Sequence, residues 1–476
     1  MENVNRQQRV VLQIAILASF VAFLDGSIVN VALPAISKEL GGGISTQQWV
    51  LDGYLLSLGA LILVAGSLSD IFGRVKILRT GLLLFGIASL LCVVAPNAGI
   101  LIAARLLQGA AAALLVPSSL AMITSEFPEE PRAKAIGTWT AWTGTAFVAG
   151  PLLGGLLVDL VSWRLIFAIN IIPIAVTLAL LVRLHDPARS SAHGAIDLPG
   201  AFFTALGLAG TVYSLIVQGS SNWSNPVVYL PFCIGLLSFA LFFWRQSKAV
   251  RPMMPLSLFR ERNFSVGNVA TAAFYAGISL GTFIIPVFLQ EAAGFSAFAA
   301  GLATIPVTVL SLALSTVFGI LSGKYGPRLF MCIGPLIAGS GFLLMVTVAN
   351  PLNYWQQLLP GILVFGLGMS ITVAPLTATI LGALDASQSG IGSAINNAVA
   401  RVAGLIAIAA IRLVTGPVLD TTAFHRVALL TALLLGSAGI ISGLGISNSG
   451  AASDQTIPPE SIAACHDKNA PNISAS

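Results

Sequence analysis

Several ionisable side chains stand inside long apolar stretches of the sequence. Among them are Asp25, Asp52 and Arg105. Placing a charged group at the centre of a membrane helix costs at least ~2.5–3.5 kcal/mol on insertion scales, so such residues commonly face a partner or a water-filled path. Their chemistry would be the binding and release of a proton or another cation.

Asp25 and Arg105 are expected to meet. With a rise of 1.5 Å per helical residue, both lie about 8–9 Å below the same membrane surface. An arginine keeps its proton whereas a carboxylate can take one up, so Arg105 would hold Asp25 ionised until a proton or a competing cation releases it. Two alternatives are a purely structural ion pair and an Asp25 that caps a helix or lies in a loop.

Asp52 is a second candidate proton site. It lies roughly 6 Å inside its apolar run and close to Trp49 and Tyr54. Because tryptophan and tyrosine are enriched at membrane interfaces, an interfacial aspartate is the alternative.

The composition defines an integral membrane protein. The chain has 476 residues, is 56% hydrophobic and only 9% charged, against roughly 25% charged residues in an ordinary soluble domain. Apolar runs of about 20 residues, long enough to cross a hydrocarbon core, recur along it. We predict fourteen membrane helices, at 10–35, 48–69, 77–95, 99–124, 135–158, 164–183, 199–219, 226–244, 264–290, 299–322, 329–349, 356–381, 391–415 and 426–447.

The basic residues indicate the topology. Most of the 23 lysines and arginines fall in alternate loops, which places both termini in the cytoplasm and the protein in the plasma membrane. The net charge of +5 is therefore no sign of nucleic-acid binding. The four cysteines are scattered, and no metal or cofactor site is expected.

A short basic loop occurs twice. Gly66, Asp70, Gly73 and Arg74 lie between two apolar runs, and about 253 residues later the stretch 319–328 repeats both glycines, a serine and an aromatic residue. The repeat predicts two related halves.

A glycine-rich segment in the fifth run is suited to close helix packing. It contains Gly144 and the order Gly150-Pro151-Leu152-Leu153-Gly154-Gly155. Small residues let membrane helices approach closely, and a proline there can bend the helix. Packing alone would explain glycines in a membrane helix, although this particular order is more informative.

Aromatic and polar residues supply a candidate substrate cavity. Stacking and cation–π contacts could bind aromatic or cationic compounds, while for each aromatic residue ordinary core or lipid packing is the alternative. Arg401 needs either a structural partner or a substrate anion. The candidates are Tyr54, Trp139, Trp142, Phe274, Tyr275, Asn396, Asn397 and Arg401.

Four of these segments together resemble the major facilitator superfamily. The loop from Gly66 is similar to its signature between helices 2 and 3, and Leu24 to Pro34 resembles the helix 1 signature of its fourteen-helix drug:proton antiporters, with Ser27 where threonine is usual. Arg105 to Gly109 resembles the helix 4 proton-transfer motif, and Gly150 to Gly155 the helix 5 antiporter motif. Ile71 departs from the loop signature, as do Gly323 and Pro327 in the second copy.

The resemblance implies an all-α fold of two six-helix bundles plus two inserted helices. The expected segments are 1–183, a linker with the extra helices at 184–263, 264–447, and a disordered tail at 448–476. The implied function is proton-coupled export of amphipathic drugs, with Asp70 and Arg74 latching the cytoplasmic face. A metabolite importer or facilitator and a lipid flippase are the alternatives; an enzyme is disfavoured. The expected partners are a small amphipathic substrate, protons and membrane lipid, for a monomer without nucleic acid.

Overall fold

A computed structural model describes residues 5–182, 184, 197–249, 252–385, 388–416 and 418–448. Within these ranges the chain is helical and contains no strand. A 3-10 turn, Leu256–Arg260, and a π turn, Tyr354–Leu358, accompany the α-helices. The α-helices are α1 Arg6–Leu40, α2 Gly43–Phe72, α3 Arg74–Val93, α4 Ala98–Glu126, α5 Glu129–Gly144, α6 Ala146–Leu160, α7 Leu165–Ala168, α8 Ile171–Leu181, α9 Leu198–Ser221, α10 Pro226–Lys248, α11 Arg262–Glu291, α12 Ala297–Tyr325, α13 Pro327–Met345, α14 Leu359–Gly382, α15 Ser389–Ala409, α16 Arg412–Thr415 and α17 Thr421–Gly445.

Each of the fourteen predicted membrane runs falls on one of these helices or on a consecutive pair. Twelve described spans are long and apolar enough to cross a membrane. Two further runs lie on α2, which has 30 residues, and on Leu165–Leu181, a shorter apolar segment. At 1.5 Å per residue, α2 is about 45 Å long and also exceeds the thickness of a hydrocarbon core. The predicted helical membrane fold is therefore confirmed.

An even number of crossings puts the start of α1 and the end of α17 on the same side. We call this the terminal side, and the other the distal side. On the terminal side, Gln8 donates to the Glu126 carbonyl, and Arg262 donates to the Gly445 carbonyl. In each half, the first helix is therefore hydrogen-bonded to a later helix of the same half on the terminal side.

The two copies of the basic loop have the same backbone form. A single glycine joins α2 to α3 and another joins α12 to α13: Gly73 with φ 94° and Gly326 with φ 87°. Glycine adopts positive φ without the steric cost that a Cβ brings. The sequence repeat therefore corresponds to a structural repeat.

The inserted helices α9 and α10 form a hairpin that packs on both halves. Leu208 and Ile216 of α9 share an apolar cluster with Leu56 of α2 and Leu405 of α15. On the terminal side, the two helices of the hairpin are joined by Asp197, whose carboxylate accepts a hydrogen bond from Gln246 Nε2 at 2.8 Å. The hairpin consequently covers the seam between α2 and α15. The predicted tail falls, from residue 449 onward, outside the described residues.

Candidate functional site

Asp25 and Arg105 form an ion pair in the first half. Arg105 Nη1 donates to Asp25 Oδ2, and both side chains are 0% exposed. Helix α1 supplies the carboxylate and α4 the guanidinium. The contact predicted from their common depth is present.

Two amides complete the coordination of Asp25. Its Oδ1 accepts from Gln108 Nε2 at 2.8 Å and from Asn170 Nδ2 at 2.9 Å. The oxygen of Gln108 accepts from Arg105 Nη1 at 2.7 Å, and its amide also donates to Ser89 at 2.9 Å. These N–H donors come from two different parts of the first half, so they fix the orientation of the carboxylate.

Arg105 is held on its other side by α2 and by an aromatic ring. Its Nε donates to the Val50 carbonyl at 3.0 Å, and its guanidinium carbon lies 4.4 Å from the centre of the Tyr54 ring. Nη2 has no hydrogen-bond partner among the described residues. If Asp25 took up a proton, Arg105 would keep these contacts but lose its counter-charge.

Asp52 lies apart from the ion pair. It is fully buried, and neither carboxylate oxygen has a hydrogen-bond partner among the residues that the structure describes. Gln48, one turn before it, donates to the Ile408 and Ala409 carbonyls of α15 at 2.8 and 2.9 Å. Asp52 is therefore enclosed by protein, while its assignment as a proton site or as an interfacial aspartate stays a prediction.

The basic loop contacts its own half. Arg74 Nη1 donates to the Ala121 carbonyl of α4 at 3.0 Å. Gly66 lies within α2, and a Cβ there would meet nothing within 4 Å. The Asp70 side chain falls outside the described part of the structure, so the predicted latch between Asp70 and the second half stays a prediction.

The helix 5 glycines lie at a junction of three helices. Gly150 packs on Ser27 of α1, and a Cβ at Gly154 would lie 2.7 Å from Ile28 Cγ1. On another face, a Cβ at Gly155 would lie 2.5 Å from Phe298 Cα in α12.

Two further motif residues touch α12. A Cβ at Gly144 would approach Leu312 at 3.1 Å, and the Pro151 carbonyl leaves no room for a side chain at Gly301. The motif thus brings α6 against both α1 and the second half.

Some of the predicted cavity residues are instead packed away. Phe274 is 1% exposed and lies in the core of this conformation, and its place in a substrate cavity stays a prediction. Tyr54 is 2% exposed and lies against Arg105. Its hydroxyl donates to the Ala22 carbonyl at 3.1 Å, which makes it part of the ion-pair surroundings.

The two candidate tryptophans differ in their contacts and in their exposure. The Trp139 indole donates to the Ala15 carbonyl and to Ser19 Oγ, each at 3.2 Å, so this side chain is tied to α1. Trp142 is 60% exposed.

The polar residues of α15 face α11 and the space between the halves. Asn396 donates to Thr271 Oγ1 at 2.8 Å, which satisfies it within the second half. Asn397 is exposed and donates to Ser393 of its own helix. Arg401 and Tyr275 are partly buried, and Arg401 Nε has no hydrogen-bond partner among the described residues.

Several hydrogen bonds between the halves lie on the distal side of the described residues. Gln47 donates to Glu291 at 2.5 Å, and Gln290 donates to the Val31 carbonyl at 3.1 Å. The Asp159 carboxylate accepts from the Ala297 and Phe298 amides at 3.0 and 2.8 Å. Together with Gln48, these residues close the halves against each other at their distal ends.

Sequence reasoning missed the two amides that orient Asp25. Gln108 stood within the helix 4 motif but received no function, and Asn170 was not singled out. Asn170 lies at the break between α7 and α8. An amide within an apolar run was the signal that could have found it, since a buried amide needs partners.

The chain is a polytopic helical transporter built from two related halves, the first of which contains a buried ion pair. It belongs to the Major Facilitator Superfamily, whose family profile matches residues 15–408.

Its relatives include antibiotic resistance proteins. A methylenomycin A resistance protein of Bacillus subtilis (strain 168) is 33% identical over 443 residues, 91% of this chain and 92% of the relative. A puromycin resistance protein of Streptomyces alboniger is 30% identical, over 85% of this chain and 81% of the relative.

Among solved structures, that of a D-xylose–proton symporter matches with a TM-score of 0.68 and 15% identity, over 94% of this chain and 99% of the other. This similarity supports the fold alone.

Proposed function

We propose that the protein exports amphipathic small molecules across the plasma membrane in exchange for protons, by alternating access. The observation that carries this proposal is the buried Asp25–Arg105 pair, whose carboxylate is oriented by Gln108 and Asn170. The resistance proteins among the relatives support the choice of a drug as substrate.

The terminal side is the cytoplasmic one in this proposal, because it receives most of the basic loop residues. The distal side is then extracellular, and its closure by Gln47, Gln48, Gln290 and Asp159 corresponds to a cytoplasm-facing conformation. A substrate would enter from the cytoplasm while Asp25 is ionised and paired with Arg105.

Proton uptake would drive the return step. After the distal contacts part, a proton from outside reaches Asp25 and weakens its bond to Arg105. Substrate leaves outward, the halves rock back, and the proton is released to the cytoplasm. Asp52 is proposed as a second proton site, and Asp70 with Arg74 as the latch that closes the cytoplasmic face.

The first experiment is a toxicity panel in a pump-deficient bacterial host, with and without a protonophore. Methylenomycin A and puromycin belong in the panel because relatives confer resistance to them by name. Compounds to which the protein confers resistance would then be tested in everted vesicles, where export appears as uptake and proton counterflow is read with a pH-sensitive dye.

Asp25→Asn should abolish proton-driven uptake into these vesicles. Asp197→Asn is the matched control, because Asp197 is also a buried carboxylate close to an arginine, Arg245, at 3.4 Å, but lies in the inserted hairpin. Undiminished transport by Asp25→Asn with its pH dependence kept would refute the proton assignment. Cells that gain labelled compound on expression would instead identify an importer.

A further inference from the structure

Arg401 lies inside a membrane-spanning helix without a counter-ion among the described residues, unlike Arg105, the other arginine of the candidate site. Arg105, Arg164 and Arg245 each meet a carboxylate, in Asp25, Glu39 and Asp197 respectively. Within the described residues, Arg401 makes no hydrogen bond or ion pair, and its Nε is buried without a partner.

The position of Arg401 on α15 places its side chain between the two halves. It stands twelve residues after Ser389, which is about 18 Å along the helix and near the middle of a membrane. Gly404 packs against Ser279 of α11, and Leu405 packs in the cluster of α2 and α9. With 3.6 residues per turn, Arg401 lies between these two edges and faces the gap between α2 and α11.

That gap has the features of a small-molecule site. Asn397, one turn from Arg401 toward the terminal side, is exposed, so the gap opens in that direction. Tyr275 adds a partly buried ring, packed edge-on against Phe274 with ring centres 5.9 Å apart. Apolar rings with one convergent charge are the arrangement that binds an amphipathic ligand.

The positive charge of Arg401 determines which class of amphipathic compound the site would bind. A guanidinium in a site of low dielectric repels a cation and binds a planar carboxylate or sulfonate through two parallel hydrogen bonds. The negative charge of Asp25 does not offset this, because Arg105 already neutralises it.

We propose that Arg401 is an anion-binding residue of the substrate cavity, so that the protein accepts amphipathic acids and discriminates against organic cations. This inference rests on the proposed export function and specifies its substrate class.

The test uses three probes that share one ring system and differ in charge: pyrenebutyrate, pyrenebutanol and a pyrenebutyl trimethylammonium ion. Binding to the full chain in nanodiscs of neutral lipid is measured by pyrene fluorescence, without a proton gradient. Wild type should bind pyrenebutyrate most tightly and the cation most weakly. Equal binding of the three probes, or no binding of pyrenebutyrate, would overturn the proposal.

Arg401→Gln should weaken pyrenebutyrate binding roughly 10- to 100-fold, the usual worth of a hydrogen bond to a charged group, and leave pyrenebutanol binding unchanged. Arg401→Glu should reverse the order of acid and cation. Arg412→Gln is the matched control, because Arg412 lies at the distal end of the same segment and packs beside Gly219 of α9. An equal loss for acid and alcohol in Arg401→Gln would assign Arg401 to packing.

The Asp25→Asn variant, measured in the same nanodiscs, distinguishes a failure of the export proposal from a failure of the anion-site proposal. This variant should keep the preference for the acid while losing proton-driven transport in vesicles. Charge-selective binding without transport would reject the export function and keep the anion site, whereas transport without charge selectivity would do the reverse.

Discussion

Gly155 of α6 lies directly against the backbone of Phe298 in α12. A Cβ at this glycine would be 2.5 Å from Phe298 Cα and 2.7 Å from the Ala297 carbonyl oxygen. Backbone atoms cannot rotate away as a side chain can, so the two halves meet here through a contact that tolerates only glycine.

Gly155→Val should therefore separate α6 from α12. We expect a loss of about 1–3 kcal/mol in stability, as for overpacked sites, with reduced transport, measured by thermal unfolding and vesicle uptake. Gly137→Val in α5 is the control, since a Cβ there meets nothing within 4 Å. Equal stability of the two variants would contradict the close contact.

Asp159→Ala should loosen the distal closure. Its carboxylate accepts the first two amides of α12 from across the interface, and losing such a cap costs about 0.5–2 kcal/mol. Spin labels on the distal ends of α1 and α12 should report more distal-open molecules. Asp420→Ala removes a comparable cap, the acceptor of the Ala423 amide at 2.7 Å, within the second half. It should leave the label distance unchanged, and an identical opening in both variants would refute a specific function of Asp159.

Asp25→Ala and Asp52→Asn should affect stability in opposite ways. Removing Asp25 leaves Arg105 as a buried charge without its counter-ion, which costs about 3–5 kcal/mol. Asp52 has no hydrogen-bond partner to lose among the described residues, so an amide there should leave stability unchanged or raise it. Thermal unfolding in detergent measures both, and a large destabilisation by Asp52→Asn would contradict an unpaired carboxylate.

The two glycines of the basic loop should respond differently to alanine. Gly73 has φ 94°, and a Cβ in a left-handed conformation costs roughly 1–2 kcal/mol. Gly66 lies in a helix with open space around it, where alanine gains about 0.5–1 kcal/mol. Unfolding of Gly73→Ala and Gly66→Ala tests this difference. A transport defect in a stable Gly66→Ala variant would show that this glycine is needed for a conformational change of the transporter and not for its folding.

The sequence predicted the helical architecture because apolar runs of membrane length carry a strong signal. The Asp25–Arg105 pair was also predictable, since two opposite charges at one depth in lipid have few other ways to be satisfied. Asn170 was not, because its approach to Asp25 depends on the break between α7 and α8, which no local pattern specified. The burial of Phe274 was not predictable for a similar reason: the sequence places an aromatic residue on a helix but does not say which neighbour covers it.

The inserted hairpin makes the two flanks of the transporter unequal. On one flank α9 rests on both α2 and α15, while on the other α6 meets α12 through bare glycine contacts. A lipophilic compound dissolved in the bilayer would find the first flank shielded by an extra layer of helix. The extra layer covers the seam on that flank alone, so the protein has a front and a back as seen by its surrounding lipids.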